Sequence, residues 1–358
     1  MDATRELSER FEMRSVDAAT WLESGTVSNV ESCKITRDSD SDTLESASVN
    51  VKGELPDGYY RVYRIAVQDG VESREPVATF LAISPKVEHD GKTVERSAKG
   101  YSPLMEPSRS GPVAGWFVPS GTDAAQAAYD ALRTHCSAPV EVPAASSDIA
   151  EAYVADGSDS WLDIARAMLS KVAMHLDIDA WGRISFAPDS MGTPSAQRRY
   201  SEDSSTVLVS GGLSSEADWY DVPNVVEVTW SVSSNPTQGQ PSTRTAVAIN
   251  DDPSSPVSTV SRGYEVRVRE SNPDTLPDYP SDNDVQLVAE TRLRELSRVA
   301  REVSYEHPYD GGRVGDGVML DFPSIGVRGP ATVVWQAVKM QTGCTVEETA
   351  AIDERLYI

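Results

Sequence analysis

A chain of 358 residues, 39% of them hydrophobic, has enough apolar material for roughly two to four compact units. Aromatic residues make up only 7%, and Ser and Asp are abundant, which suits several small, loop-rich β domains better than one large α/β core. The net charge of −24 excludes nucleic-acid binding by phosphate contact, which needs Lys and Arg to displace counterions; it leaves plain solubility, or an acidic passage through which DNA slides without sticking.

Cys33, Cys136 and Cys344 are odd in number, far apart and free of CxxC spacing, so free thiols in a reducing cytoplasm are expected rather than a disulfide framework. The opening MDATRELSERFEMR is too charged for a signal peptide, and no run of about 18 apolar residues is present to span a membrane.

Residues 26–100 predict a small antiparallel barrel or sandwich. Val30–Arg37 and Ala47–Val51 are strand candidates around the turn-rich Asp38–Thr43. Tyr59–Val67 follows, with Tyr59, Tyr63, Ile65 and Val67 on one face, then the Asp69–Gly70 turn and a strand over Pro76–Ser84. Lys86–His89 and Thr93–Ser97 flank Asp90–Gly91.

From residue 101 the pattern changes to a Ser/Gly/Pro-rich link and an Ala-rich helix over Thr122–Cys136. In GSDSWLDIARAMLSKVAMHLDIDAWGRISFA (157–187), Ser160 and Asp163 form a capping box. Trp161, Ile164, Met168, Val172 and Leu176 share one helical face, and a hairpin turning at Ala180–Trp181–Gly182 follows.

β character returns at Val207–Ser210 and at Asn224–Val232, where Val226, Val228 and Trp230 share a face. Residues 233–260 predict a loop or extended hairpin, and Tyr264–Val268 a strand; Pro273, Pro277 and Pro280 break any element over 271–282. Asp284–Val303 is the longest helix candidate, with Val285, Val288, Leu293, Leu296 and Val299 on one broad face. Strand signals close the chain at Gly317–Phe322, Thr332–Thr342 and Glu348–Ile352.

Chemistry-bearing motifs do not survive inspection. Asp38–Glu45 (DSDSDTLE) opens like a calcium loop, but positions six and twelve hold Thr43 and Val49 instead of Gly and Glu, so a solvated turn is the better reading. Gly91–Lys92–Thr93 lacks the first glycine of a phosphate loop, since Lys86 stands there. His89, His135, His175 and His307 are isolated, and His135–Cys136 has no second pair at zinc spacing. The expectation is therefore no enzyme, with no catalytic, cofactor or metal residue. Among 56 Asp and Glu, sequence cannot single out a glycosidase pair, so a cell-wall hydrolase has no support.

Four stretches in this order resemble the tail hub, or baseplate hub, of tailed bacteriophages and related contractile injection systems. They are the strand–acidic turn–strand Gly25–Val51; Pro76–Leu104 with its exit through Gly100, Tyr101 and Leu104; the GSDSWLDIARAMLSKV helix with the DAWGRISFAP hairpin; and the helix leading to Tyr305–Glu306–His307, followed by Arg313-Val-Gly-Asp-Gly-Val. The resemblance implies an α+β, mainly β chain. A first β-barrel-like hub domain would span 1–105, a mixed α/β middle domain 106–205, and a second barrel-like hub domain 206–358. The last would carry an irregular insertion at about 233–282 and a helix at about 284–303.

The resemblance further implies a homotrimer whose barrel-like domains form a pseudo-six-fold ring at the virion tail tip or baseplate, assembled in the bacterial host cytoplasm. Its implied partners are a distal tail or tail tube protein, the tape measure protein, a tip or central fibre protein, and DNA passing through the bore. A separate protein would supply receptor contact or wall degradation. Asp38, Asp40 and Asp42 are candidates to face that bore. The alternative is a receptor- or sugar-binding adhesion module, which would expose Trp and Tyr on a concave face; Trp161, Trp181 and Trp230 instead sit in periodic apolar patterns expected of a core.

Overall fold

The computed structural model describes residues 7–89, 91–189, 194–203, 207, 212–232, 242–273, 275–277, 279–341 and 343–357. Among them strands outweigh helices, 47% against 14%, so the mainly β class holds. No sheet closes into a barrel among the described residues. The chain divides into two compact units, Met1–Leu213 with Ser304–Ala350, and Ser214–Val303 with Ala351–Ile358.

The first unit opens with β1 (Leu7–Val16), β2 (Glu23–Val27), β3 (Val30–Asp38), β4 (Glu45–Lys52), β5 (Gly58–Gln68), β6 (Val71–Ala82), β7 (Lys86–His89) and β8 (Val94–Tyr101). They pair antiparallel in the order β3-β4-β8-β6-β5-β1-β2, with β7 folded back on β8. The strand expected over Tyr59–Val67 is β5, but it is buried on both faces, not one, from Tyr59 to Ala66. At Val62–Tyr63 the pairing with β6 skips Val77, a bulge in β6, while the pairing of β5 with β1 runs on unbroken. Alternation in β4 is regular, with Ala47, Val49 and Val51 packed against Ile35, Val62, Phe80 and Val338. Gly100 of β8 lies against Phe80 and Ala47, where a side chain has no room.

The middle stretch carries α1 (Met105–Ser108), β9 (Phe117–Val118), α2 (Ala124–Arg133), β10 (Tyr153–Val154), α3 (Trp161–Ser170), β11 (Met174–Ile178), β12 (Ile184–Pro188) and β13 (Ala196–Ser201). The α2 and α3 helices pack through Ala124, Ala128, Leu132, Leu162, Ala165 and Leu169. The capping box forms as read from sequence: the Asp163 amide donates to Ser160 Oγ over 3.1 Å, and the Ser160 amide to Asp163 Oδ2 over 2.9 Å. The helix ends six residues before Leu176, however. Ala173 adopts φ +51°, and Met174–Ile178 pairs antiparallel with Ile184–Pro188, so Leu176 is buried from a strand.

The second unit contains β14 (Ser214–Glu216), β15 (Val225–Val232), β16 (Ser242–Ile249), α4 (Thr259–Arg262), β17 (Arg267–Ser271) and α5 (Asp282–Leu296). Its three-stranded sheet runs β16-β15-β17, antiparallel then parallel, and α5 covers one face through Val285, Ala289 and Leu293 against Val226, Val228 and Trp230. The extended-hairpin option for 233–260 is thus realised in part by β16; residues 233–241 lie outside those described, as do Ser210 and its neighbours 208–209. A second capping box, Ser281 with Asp284, starts α5.

The chain closes with β18 (Arg298–Pro308), β19 (Gly317–Phe322), β20 (Val327–Lys339) and β21 (Thr345–Arg355). Val299 and Val303 are strand residues, not the continuation of α5: the helix stops at Ser297, and the sequence then alternates exposed and covered positions. Within the first unit β20 pairs with β3, from Trp335 opposite Asp38 to Lys339 opposite Lys34, extending the first sheet with residues some 300 positions away in sequence. On its other edge β20 pairs with β19, which also holds β13 in parallel.

Candidate functional site

The acidic turn between β3 and β4 sits on the rim of a cleft of about 580 Å³ in the first unit. Its walls are apolar, from Leu44, Leu169, Leu176, Ile178 and Val333, and its polar lining includes Asp38, Asp40, Glu45, Arg166 and Arg313. The turn is self-made. Asp38 Oδ1 accepts the Asp40 amide over 2.9 Å, the Asp38 amide donates to the Leu44 carbonyl over 2.9 Å, and Leu44 closes the loop at φ +59°.

The three candidate carboxylates separate in role. Asp40 and Asp42 are exposed and Asp38 is partly covered. Asp42 is tied to the middle stretch, since Arg166 of α3 donates Nη1 to its Oδ1 over 2.9 Å and Nη2 to its main-chain oxygen over 2.6 Å. The acidic turn and the capped helix, two separate landmarks of the sequence, therefore meet.

Beneath the turn lies a buried charge network that sequence reasoning did not single out. Arg37, 3% exposed, donates Nε to Glu45 Oε2 over 2.9 Å, Nη1 to Gln336 Oε1 over 2.9 Å and Nη2 to the Val77 carbonyl over 2.6 Å. Arg313 approaches the same Glu45 Oε2 at 3.6 Å and donates to the Ile178 carbonyl over 2.7 Å. Gln336 passes the chain on to Glu348, which also accepts from Tyr305 and lies 3.4 Å from His307 Nε2. The signals are charged or amide residues at positions in step with buried apolar ones: Glu45 with Ala47 and Val49 in β4, Gln336 beside Ala337 in β20, and Glu348 between Val346 and Ala350 in β21. Only tertiary pairing shows that they converge.

A second joint fixes the β11–β12 turn. Thr79 Oγ1 donates to the Ala180 carbonyl over 2.9 Å, while Trp21 Nε1 and Arg61 Nη2 both donate to the Trp181 carbonyl, over 2.8 and 3.0 Å. Trp181 is not a core residue: it is 38% exposed, with the Arg61 guanidinium 4.8 Å from its ring centre. Trp230 is buried as expected, and Trp161 is half-covered, stacked on His135 at 4.0 Å. Among the described residues no group of three or more His, Cys, Asp or Glu is arranged to hold a metal ion.

No protein-family model matches this chain, and no curated protein matches it. Solved structures do. The 43 kDa tail protein of prophage MuSo2 from Shewanella oneidensis superposes with a TM-score of 0.62 at 9% identity, over 98% of this chain and all of that one (100%). The chain has the fold of phage tail proteins. The tail protein from Neisseria meningitidis matches it at a TM-score of 0.58 and 14% identity, over 96% of each chain. A chain of the Francisella PdpA–VgrG complex matches at 0.57 and 7% identity, over 97% of this chain but 58% of that one. The tail-protein fold thus accounts for nearly the whole length, including the late strands that return to β3 and the helix–hairpin stretch that bears on the acidic turn.

Proposed function

We propose that this chain is a structural component of a phage tail, the hub of a tail tip or baseplate. The single observation that carries the reading is that two tail proteins match it over essentially their full lengths. In this reading three copies form a ring in which two barrel-like β regions per copy alternate as six similar units, with 1–105 and 206–358 supplying those regions and 106–205 the middle domain. The ring joins the tail tube or distal tail protein to the tip, meets the tape measure protein, and lets DNA pass during ejection. The protein works in the virion tail, by shape and charge rather than catalysis.

The acidity supports the passage of DNA, because a bore with negative walls repels phosphates instead of trapping them. Asp38 and Asp40 are the stronger bore-facing candidates; Asp42 is partly neutralised by Arg166. The deciding experiment is the native mass of the purified protein together with class averages viewed down the particle axis. A trimer with a pseudo-six-fold ring and a central hole is expected. A monomer that forms no ring beside a tail-tube partner, and that binds glycans, would replace the hub by an adhesion module.

A further inference from the structure

His307 is 1% exposed, and both of its ring nitrogens face oxygen acceptors. Nδ1 lies 2.8 Å from the Pro308 carbonyl oxygen and Nε2 3.4 Å from Glu348 Oε2. A carbonyl and a carboxylate have no proton to offer, so a neutral imidazole would satisfy one of these contacts and set a lone pair against oxygen at the other. We propose that His307 is held as a doubly protonated imidazolium, a proton-dependent latch that fastens the end of β18 to β21 in the first unit.

The surroundings favour the cation. Burial by itself works against it, but the hydrogen bond and charge of Glu348, the charge of Asp310 4.0 Å away, and the Pro308 carbonyl outweigh burial and raise the His307 pKa above its ordinary value. The other groups facing the ring come from β13, β18 and β20. Tyr200 and Tyr305 pack on it at 4.6 and 5.9 Å; burial, foremost, raises both phenols and keeps them neutral. Arg198 is the nearby competing cation, and it is occupied by Asp316 at 2.7 Å and Asp310 at 3.5 Å. Gln336 shares Glu348 with the imidazolium and links it to Arg37, so the latch reaches the buried network under the acidic turn.

The sign follows from linkage. A histidine whose folded pKa exceeds the unfolded value of about 6.5 contributes stability fully below that pH, and the contribution is lost as pH rises through the folded pKa. Nitrogen-15 NMR of the full chain labelled at histidine tests this directly. At about pH 7 both His307 nitrogens are expected to be protonated, with His307→Gln assigning the signal. Thermal unfolding of the wild type is expected to fall from about pH 6 to about pH 9, and this slope to flatten in His307→Gln. Glu348→Gln is expected to return the ring to a neutral form at pH 7. A single protonated nitrogen in the wild type at pH 7 overturns the proposal, whether or not either variant folds. So does an unchanged alkaline slope in a folded His307→Gln protein, which would assign the proton to another group.

Discussion

The indole Nε1 of Trp21 donates to the main-chain oxygen of Trp181 over 2.8 Å, joining residues 160 positions apart in the first unit. The turn that carries Trp181 is held at two successive carbonyls, by Thr79 at Ala180 and by Trp21 with Arg61 at Trp181. Gly182 completes the contact because nothing larger fits. Its φ is +73°, and a Cβ there would stand 2.9 Å from Thr79 Cβ and 3.0 Å from the Trp21 ring.

Gly182→Ala therefore combines left-handed backbone strain with a steric clash against a side chain whose Oγ1 is engaged. The expected loss is about 1–3 kcal/mol. Urea unfolding followed by tryptophan fluorescence measures it. A midpoint within error of the wild type would show that the turn does not bear on that surface in solution.

Arg37 and Glu45 are 3% exposed each, and Arg37 spends its donors on three different acceptors. Removing the guanidinium leaves Glu45 buried with Arg313 at 3.6 Å as its remaining cation. Arg37→Met is expected to cost about 3–5 kcal/mol, whereas Arg37→Met with Glu45→Leu costs less than Arg37→Met alone, since the stranded charge goes too. Double-mutant analysis of urea midpoints separates the two; equal or greater loss in the double variant would mean the pair contributes more than the burial of its charges costs.

Helix starts give a smaller and cleaner effect. Ser160 and Ser281 each accept an amide from the residue three positions on, and each donates its own amide to the carboxylate of that same residue, Asp163 or Asp284. Ser160→Ala and Ser281→Ala are expected to destabilise by about 1 kcal/mol each. Chemical denaturation checks both, and no change would indicate that water replaces the cap at no cost.

What could be read from sequence was local. The Ser160 capping box, the strand over Ala47–Val51, the Ala-rich helix α2 and the apolar face of α5 are written in neighbouring residues and are present in the structure. Helix ends are hidden in the sequence where an apolar period of three to four persists into a strand, as at Val172–Leu176 and Val299–Val303; there pairing partners, not propensity, decide. The strand β1 is hidden in the sequence because charged residues recur along MDATRELSERFEMR and mask a half-covered strand that β5 completes. Asp38, Asp40 and Asp42 were recognisable as a turn, but Arg166 is 124 positions from Asp42, and nothing local announces that ion pair. The Arg37–Glu45–Gln336–Glu348 network needs β20 beside β3, a pairing of strands from opposite ends of the chain.

The three thiols yield a final prediction. Burial, the largest influence on each, pushes Cys33, Cys136 and Cys344 up to about 12, with carboxylates such as Glu45, Glu106 and Glu9 adding to it. No disulfide joins them. At about pH 8 an ordinary thiol near 8.5 is about a quarter ionised, while one at about 12 is ionised roughly once in ten thousand molecules. Since the thiolate is the nucleophile, native alkylation by iodoacetamide is expected to run roughly two-thousand-fold slower than for a free cysteine, before any steric shielding is counted. Intact mass after timed quenching reads this out, with all three sites labelling promptly in denaturant. Cys136 is only partly covered, so it is the one to label first; rapid native labelling of Cys33 or Cys344, which are 5% and 1% exposed, would place an opening of the β3 or β21 region on the timescale of the reaction.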